Sequence, residues 1–247
     1  MEPDWRSRSV KFTRILLKLS GEALMEGGEQ YSHRKLTALA QTITAVRQKG
    51  IQVGIVIGAG NIFRARSANL EIVDRVTADN VGMLGTIMNA AILRDYLRAE
   101  GLKAKILSPR ELRPLTSAFA RDTALSLLQA DYVLVFAGGT GNPYFTTDSA
   151  AALRALEISA DVLIKGTQVD GVYDKDPQRH PDAKRFEHLT YDEVIARRLQ
   201  VMDLTAVTLC AEHDLPLFVF DISDPANLLK AVAGEQDGTW ILKEKQP

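Results

Sequence analysis

The sequence predicts an α/β protein with a mostly parallel sheet covered by helices on both faces. Two patterns carry that prediction. Short, almost unbroken apolar runs alternate with segments of helical period along the chain. Each run ends in a polar or glycine-rich loop, and parallel sheets gather ligands outside the carboxyl ends of their strands.

The elements follow in order. Residues 1–12 read as a mobile polar arm. Arg14 to Leu19 is a buried strand ended by Ser20-Gly21-Glu22, and a polar loop spans 25–31. A helix follows with Ser32 as N-cap, Leu36, Leu39, Ala40, Ile43 and Val46 on one face, and Gly50 as its stop. Ile51 to Ile57 is the second strand and runs into Gly58-Ala59-Gly60-Asn61. A helix from about Asp79 to Gly101 carries Met83, Leu84, Ile87, Met88, Ala91, Ile92 and Leu97. That is more apolar surface than one core face requires, so either a central buried helix or a subunit contact is expected. Lys103 to Leu107 is a strand, Ala118 to Gln129 a helix, and Tyr132 to Phe136 a strand leading into AGGTGNPYFTTDSAA, 137–151. Ala160 to Lys165 is the fifth strand, and Asp170-Gly171 after it signals a hairpin turn. Thr190 and Glu193 form a capping box. Leu215 to Phe220 is a late strand, and a last helix opens near Pro225 and stops at Gly234.

Composition narrows the class. The chain has 247 residues, 46% of them hydrophobic, enough for one large domain with two lobes. Thirty basic against 31 acidic residues gives a net charge of −1, so no basic surplus points to nucleic acid. The single Cys210 excludes an intrachain disulfide, fits a reducing cytoplasm and reads as a small buried residue. No apolar run reaches the ~18 residues of a membrane span, and the N-terminus has no apolar signal region. A soluble cytoplasmic protein is therefore expected.

The strand ends limit the chemistry. No segment matches a P-loop, and Phe63 stands where a dinucleotide fingerprint needs its third glycine. No nucleophile elbow is present. His33, His180, His188 and His213 have no mutual ligand spacing, and Met202, Leu204 and Val207 read as core. Lys18 and Lys165 each interrupt an apolar strand just before a glycine turn. With Arg64 and Asp148 they make a group of cations around one carboxylate, which suits phosphoryl transfer, where catalysis is mostly positioning and charge neutralisation. Asp148 can also be read as a simple helix N-cap. No general base is evident, which favours an acceptor that is already ionised, a phosphate or a carboxylate.

The segments RILLKLSGEAL (14–24), IQVGIVIGAGNIFR (51–64), DNVGML (79–84), GTGNPYFTTDSAA (139–151), KGTQVDGVYDKDP (165–177), LTYDEV (189–194) and VMDLTA (201–206) resemble, in this order and spacing, the bacterial uridylate (UMP) kinase family of the amino-acid kinase superfamily. The resemblance runs from Arg14 to Trp240. It implies a three-layer α/β/α sandwich, with a lobe of about 13–160 binding UMP and a lobe of about 161–247 binding ATP. It implies that Lys18, Lys165, Asp148 and Arg64 serve the transfer. Lys18, Leu19, Ser20, Gly21, Gly60, Arg64, Thr167, Tyr173 and Asp176 match ATP contacts. Ala59, Asp79 and the loop Thr140, Gly141, Asn142, Pro143, Tyr144, Phe145, Thr146 and Thr147 match UMP contacts. Ala59 stands where many relatives carry a glycine. Arg94 and Asp95 match part of an effector region. The family implies Mg²⁺ held mainly through ATP phosphates, a homohexamer, GTP as activator and UTP as inhibitor. The alternatives are a kinase of an amino-acid carboxylate, or a nucleotide- or oxyanion-storage protein on the same fold.

Overall fold

Nine strands of the computed structural model form one sheet, whose order places the N-terminal strand near the middle. The structure describes residues 12–64, 71–235 and 237–244. The strands are β1 (Arg14–Leu19), β2 (Gln52–Ile57), β3 (Lys103–Ser108), β4 (Ser117–Ala118), β5 (Tyr132–Phe136), β6 (Val162–Thr167), β7 (Val172–Tyr173), β8 (Arg185–Phe186), β9 (His188–Thr190), β10 (Leu217–Asp221) and β11 (Thr239–Leu242). The helices are α1 (His33–Gln48), α2 (Arg75–Ala99), α3 (Arg121–Gln129), α4 (Thr147–Glu157), α5 (Tyr191–Ala196), α6 (Leu204–Glu212) and α7 (Asn227–Ala233).

The sheet runs β4-β3-β5-β2-β1-β6-β10-β11-β9, and β7 pairs separately with β8. Its strand pairs are parallel except β10 with β11. Both faces are covered, as continuous apolar strands require. Ile15, Leu17 and Leu19 of β1 face a core shared with α1, α2 and α7. Leu16 faces the opposite core, built with α3, α4, α5 and α6. The result is a three-layer α/β/α sandwich, and it positions the site directly. Lys18 shares a face with Leu16, and Lys165 shares the same face with Leu163, because side chains alternate along a strand.

Local signals behave as their chemistry dictates. Ser32 accepts from the Lys35 amide, Thr190 and Glu193 complete their capping box, and Gly234 ends α7 in the left-handed conformation. Cys210 is fully buried, and burial pushes its thiol up to about 12.

Several expectations are corrected. The long helix begins at Arg75, four residues before the expected start, because Asp74 caps it by accepting from the Val76 and Thr77 amides. The third helix starts at Arg121 rather than Ala118, since Ser117 and Ala118 are drawn into strand pairing with β3. Asp170-Gly171 is no hairpin turn. Tyr173 pairs with Arg185 across a longer loop, and Gly171, at φ 152°, passes close against Thr239 and Arg185. The expected N-terminal arm lies outside the described residues up to Lys11, whereas Phe12 is buried in the core. The excess apolar surface of α2 divides. Ile87 and Leu97 are buried, while Leu84 and Met88 are more than half exposed.

Candidate active site

β1 and β6 are neighbours, and Lys18 and Lys165 are register partners across that pair. The chain leaves β1 through α1 on one face and leaves β6 through α5 and α6 on the other. Adjacent strands whose connections diverge in this way open a crevice at their carboxyl ends. Two ammonium groups on adjacent strands at one register would repel. Asp148, in the first turn of α4, stands between them. Its Oδ1 lies 2.6 Å from Lys18 Nζ, and its Oδ2 accepts from Lys165 Nζ at 2.9 Å. Lys165 Nζ also donates to the Val201 carbonyl.

The three side chains are only 11%, 13% and 15% exposed, so their charges act through little water. Burial alone would raise the Asp148 carboxyl; the two lysines outweigh it and hold the pKa below the ordinary carboxylate range. Burial lowers the pKa of Lys165, Asp148 pulls it back up, and Lys18 pushes it down again. Two cations on one carboxylate leave one net positive charge facing the crevice, which favours an anion there.

Asp148 does not cap α4. Thr146 does, accepting from the amides of Asp148 and Ser149 at 3.0 and 3.3 Å. Thr146 donates its own hydroxyl proton to Asp203, which caps α6 and also accepts from Ser149 Oγ at 2.9 Å. One carboxylate thus fixes the starts of two helices and, through α4, the place of Asp148.

A cavity of about 350 Å³ opens above the cluster. Its walls are Lys18, Ser20 and Gly21 after β1, Gly58, Ala59, Gly60 and Arg64 after β2, Asp79 and Met83 on α2, and Asn142, Phe145, Thr146 and Thr147 before α4. Arg64 pairs with Glu22 and donates to the Gly60 carbonyl at 3.2 Å. Asp79 accepts from Arg75 Nε through both oxygens and from the Tyr144 amide at 2.8 Å. The loop before α4 therefore hangs on α2 at one end and on Asp203 at the other. Four of its residues, Gly138, Gly139, Gly141 and Tyr144, have positive φ, and a β-carbon on Gly141 would strike Pro109.

With this geometry in view, comparison with known proteins is decisive. The amino acid kinase family model matches residues 13–221. The uridylate kinase of Pseudomonas savastanoi pv. phaseolicola is 48% identical over 239 residues, 96% of each chain. That of Parabacteroides distasonis is 46% identical over 234 residues, 94% of this chain and 99% of its own. The chain belongs to the uridylate kinase branch of the amino acid kinase family. Solved structures agree. The UMP kinase of Bacillus anthracis superposes with a TM-score of 0.90 at 35% identity, covering 95% of this chain and 97% of its own. The UMP kinase of Ureaplasma parvum gives 0.89 at 35%, covering 94% and 99%.

The residues expected from the family likeness divide by position. Lys18, Ser20, Gly21, Ala59, Gly60, Arg64, Asp79, Asn142, Phe145, Thr146 and Thr147 line one cavity, with Lys165 and Asp148 joined to it through Lys18. Leu19 is fully buried in the core, so only its backbone is available, and its carbonyl already accepts from the Gly58 amide at 2.9 Å. Thr140 lines a neighbouring groove between α4 and α6, and its hydroxyl closes the turn at Asn142. Gly141, Pro143 and Tyr144 shape the loop from outside the cavity lining. Thr167, Tyr173 and Asp176 stand apart from the cavity. Thr167 bonds to Val169, Tyr173 donates to Asp170 at 2.6 Å, and Asp176 holds the Gln178 amide. Arg94 and Asp95 pair with each other on the far half of α2.

Ala59 fits in place of a glycine for a visible reason. It has no positive φ, and its methyl group packs where Gly85 of α2 leaves room; a β-carbon on Gly85 would come within 2.9 Å of it. Glu22, Arg75 and Asp203 join the site although the sequence assigns them no role in it. The Arg75–Asp79 spacing is a helical i, i+4 pair, and Asp203 before Leu-Thr-Ala is an N-cap pattern, so signals for both were present.

Proposed function

We propose that this chain transfers the γ-phosphoryl group of ATP to the phosphate of UMP, giving UDP. The observation that carries the reading is the pair of register-matched lysines on one carboxylate, at the point where two glycine-rich phosphate-type loops meet. ATP phosphates would lie against Ser20–Gly21 and Lys18, with Thr167, Tyr173 and Asp176 of the 161–247 lobe toward the nucleoside. UMP would lie in the 13–160 lobe, its phosphate toward Ala59 and its nucleoside toward Asp79 and the 140–147 loop, with Gly60 and Arg64, the expected ATP contacts, where the two sets of phosphates meet. Arg64 would exchange Glu22 for phosphate.

The chemistry asks little beyond placement. The acceptor phosphate is already ionised, so no proton need be removed before attack. Lys18 and Lys165 offset charge on the transferring oxygens, and Asp148 holds both ammonium groups in position. Magnesium, when bound with ATP, would supply charge neutralisation at the donor phosphates. Among the described residues no group of three acidic, histidine or cysteine side chains is placed to hold a metal. Asp148 already gives each oxygen to a lysine. The proposal places the ion mainly on the ATP phosphates.

The exposed apolar face of α2, with Leu84 and Met88, supports self-association, and a hexamer is the assembly proposed. Control by GTP and UTP belongs to the same proposal, with Arg94 and Asp95 as the effector contact. Among the described residues no helix is long and apolar enough to cross a membrane, and the lone buried thiol suits a cytoplasmic site of action. A coupled ADP-release assay offering UMP, CMP, aspartate, glutamate and acetylglutamate tests the reaction. UMP-dependent ADP release is expected. Turnover with glutamate alone would replace this reading with a carboxylate kinase, and tight nucleotide binding without turnover would replace it with storage.

A further inference from the structure

Asn89 of α2 is fully buried and faces the strand ends, yet the chemistry described above does not use it. Its amide nitrogen donates to the Gly58 carbonyl at 2.7 Å and to Asn61 Oδ1 at 2.8 Å. Asn61 returns the contact, its amide nitrogen donating to Asn89 Oδ1 at 3.2 Å. Both protons on the Asn89 amide nitrogen and its oxygen are thus engaged.

The other side of Asn61 meets the first loop. A β-carbon on Gly21 would overlap the Asn61 side-chain amide and lie 2.9 Å from the Gly58 carbonyl. The Asn61 amide therefore packs directly on Gly21, beside the point where Gly21 meets the Gly58 carbonyl, and bears on both the loop after β1 and the turn after β2. Asn89 fixes its depth from behind. Only glycine at 21 lets the amide sit so close.

We infer that the Asn61–Asn89 amide pair is a spacer that sets the distance between the donor-phosphate loop at Ser20–Gly21 and the acceptor-phosphate loop at Gly58–Gly60. The inference rests on the phosphotransfer reading given above. Neither residue needs to touch a reacting atom; both are positioning residues. Each loop keeps its own donors without the spacer, so each substrate still binds. What changes is the approach of attacking oxygen to phosphorus. A misplacement of about 1 Å can cost roughly 10²-fold in rate.

Asn61→Ala and Asn89→Ala are therefore expected to lower kcat by about 10²-fold each, with both KM values within about threefold of wild type. The double variant is expected to lose no more than either single, because the two residues act as one unit. Asn61 is only partly buried, so its variant retains the fold if the buried Asn89→Ala does not. A second readout is direct. Adenosine–oligophosphate–uridine dinucleotides differing by one phosphate in length span both loops. The wild-type protein is expected to prefer one length by about tenfold, and Asn61→Ala to reduce the preference to about twofold. A kcat within about threefold of wild type, losses that multiply in the double variant, or an unchanged length preference would overturn the inference. A wild-type protein that neither turns over UMP nor binds any of the dinucleotides would sink the phosphotransfer reading itself.

Discussion

At the scale of residues, the site is a matter of charge count. Lys18 and Lys165 would repel without Asp148, and Asp148 would be costly to bury without them. In the proposed reaction, removing either ammonium takes away one group that would meet the transferring phosphoryl. Lys18→Ala or Lys165→Ala should lower kcat by roughly 10²–10³ while the protein still binds nucleotide, which steady-state kinetics and calorimetry would check. The pH behaviour carries a sign. Burial lowers Lys165 from the ordinary lysine value of 10.5. In that alkaline window the unfolded chain holds the proton longer than the fold does, so this group's contribution makes stability rise with pH while the needed cation is lost. The kcat/KM profile should thus fall at a pH below 10.5, and Lys165→Arg should move that limb upward, since guanidinium stays charged. Asp148 has the opposite window. Its depressed pKa contributes stability that is lost only in acid, below the ordinary value of 3.8.

At the scale of elements, the loop before α4 decides where the carboxylate stands. Thr146 caps α4 and bonds Asp203, which caps α6, so the two helix starts move together. Thr146→Ala should cost about 1 kcal/mol of stability as a lost N-cap, read by denaturant titration. It should also lower kcat, because Asp148 lies two residues into the same helix. The elements were legible where periodicity or capping was strong. Ser32, Thr190 with Glu193, and Gly234 marked their helices as expected. They were obscure where a boundary depended on one exposed side chain, as at Asp74, or on pairing between distant segments. β7 with β8 and β11 with β9 are such pairings, too short and too far apart in sequence for a local pattern to show. Asp-Gly at 170–171 misled because turn chemistry was there without a partner strand beside it.

At the scale of the whole molecule, one sheet joins segments more than a hundred residues apart at a single rim. That convergence explains why lysines on two separate strands, each next to a glycine turn, pointed to the site. Their register, and the carboxylate that bridges them, required coordinates. So did the amide pair that bears on both loops, since nothing in the spacing of Asn61 and Asn89 tells that they meet. The exposed apolar face of α2 carries the proposed self-association. Replacing Leu84 and Met88 together by Glu should shift the protein to smaller species in sedimentation, because it puts charge into an apolar contact. Unchanged sedimentation would place the assembly surface elsewhere.

The most direct test is a single-turnover measurement of UDP formation by Asp148→Asn, beside equilibrium binding of ATP and UMP. The substitution keeps the side chain's shape and removes its charge, leaving two ammonium groups with no negative charge between them. The transfer rate is expected to fall by about 10²-fold or more, with both dissociation constants changed by no more than a few-fold. A transfer rate equal to wild type would contradict the proposed role of Asp148.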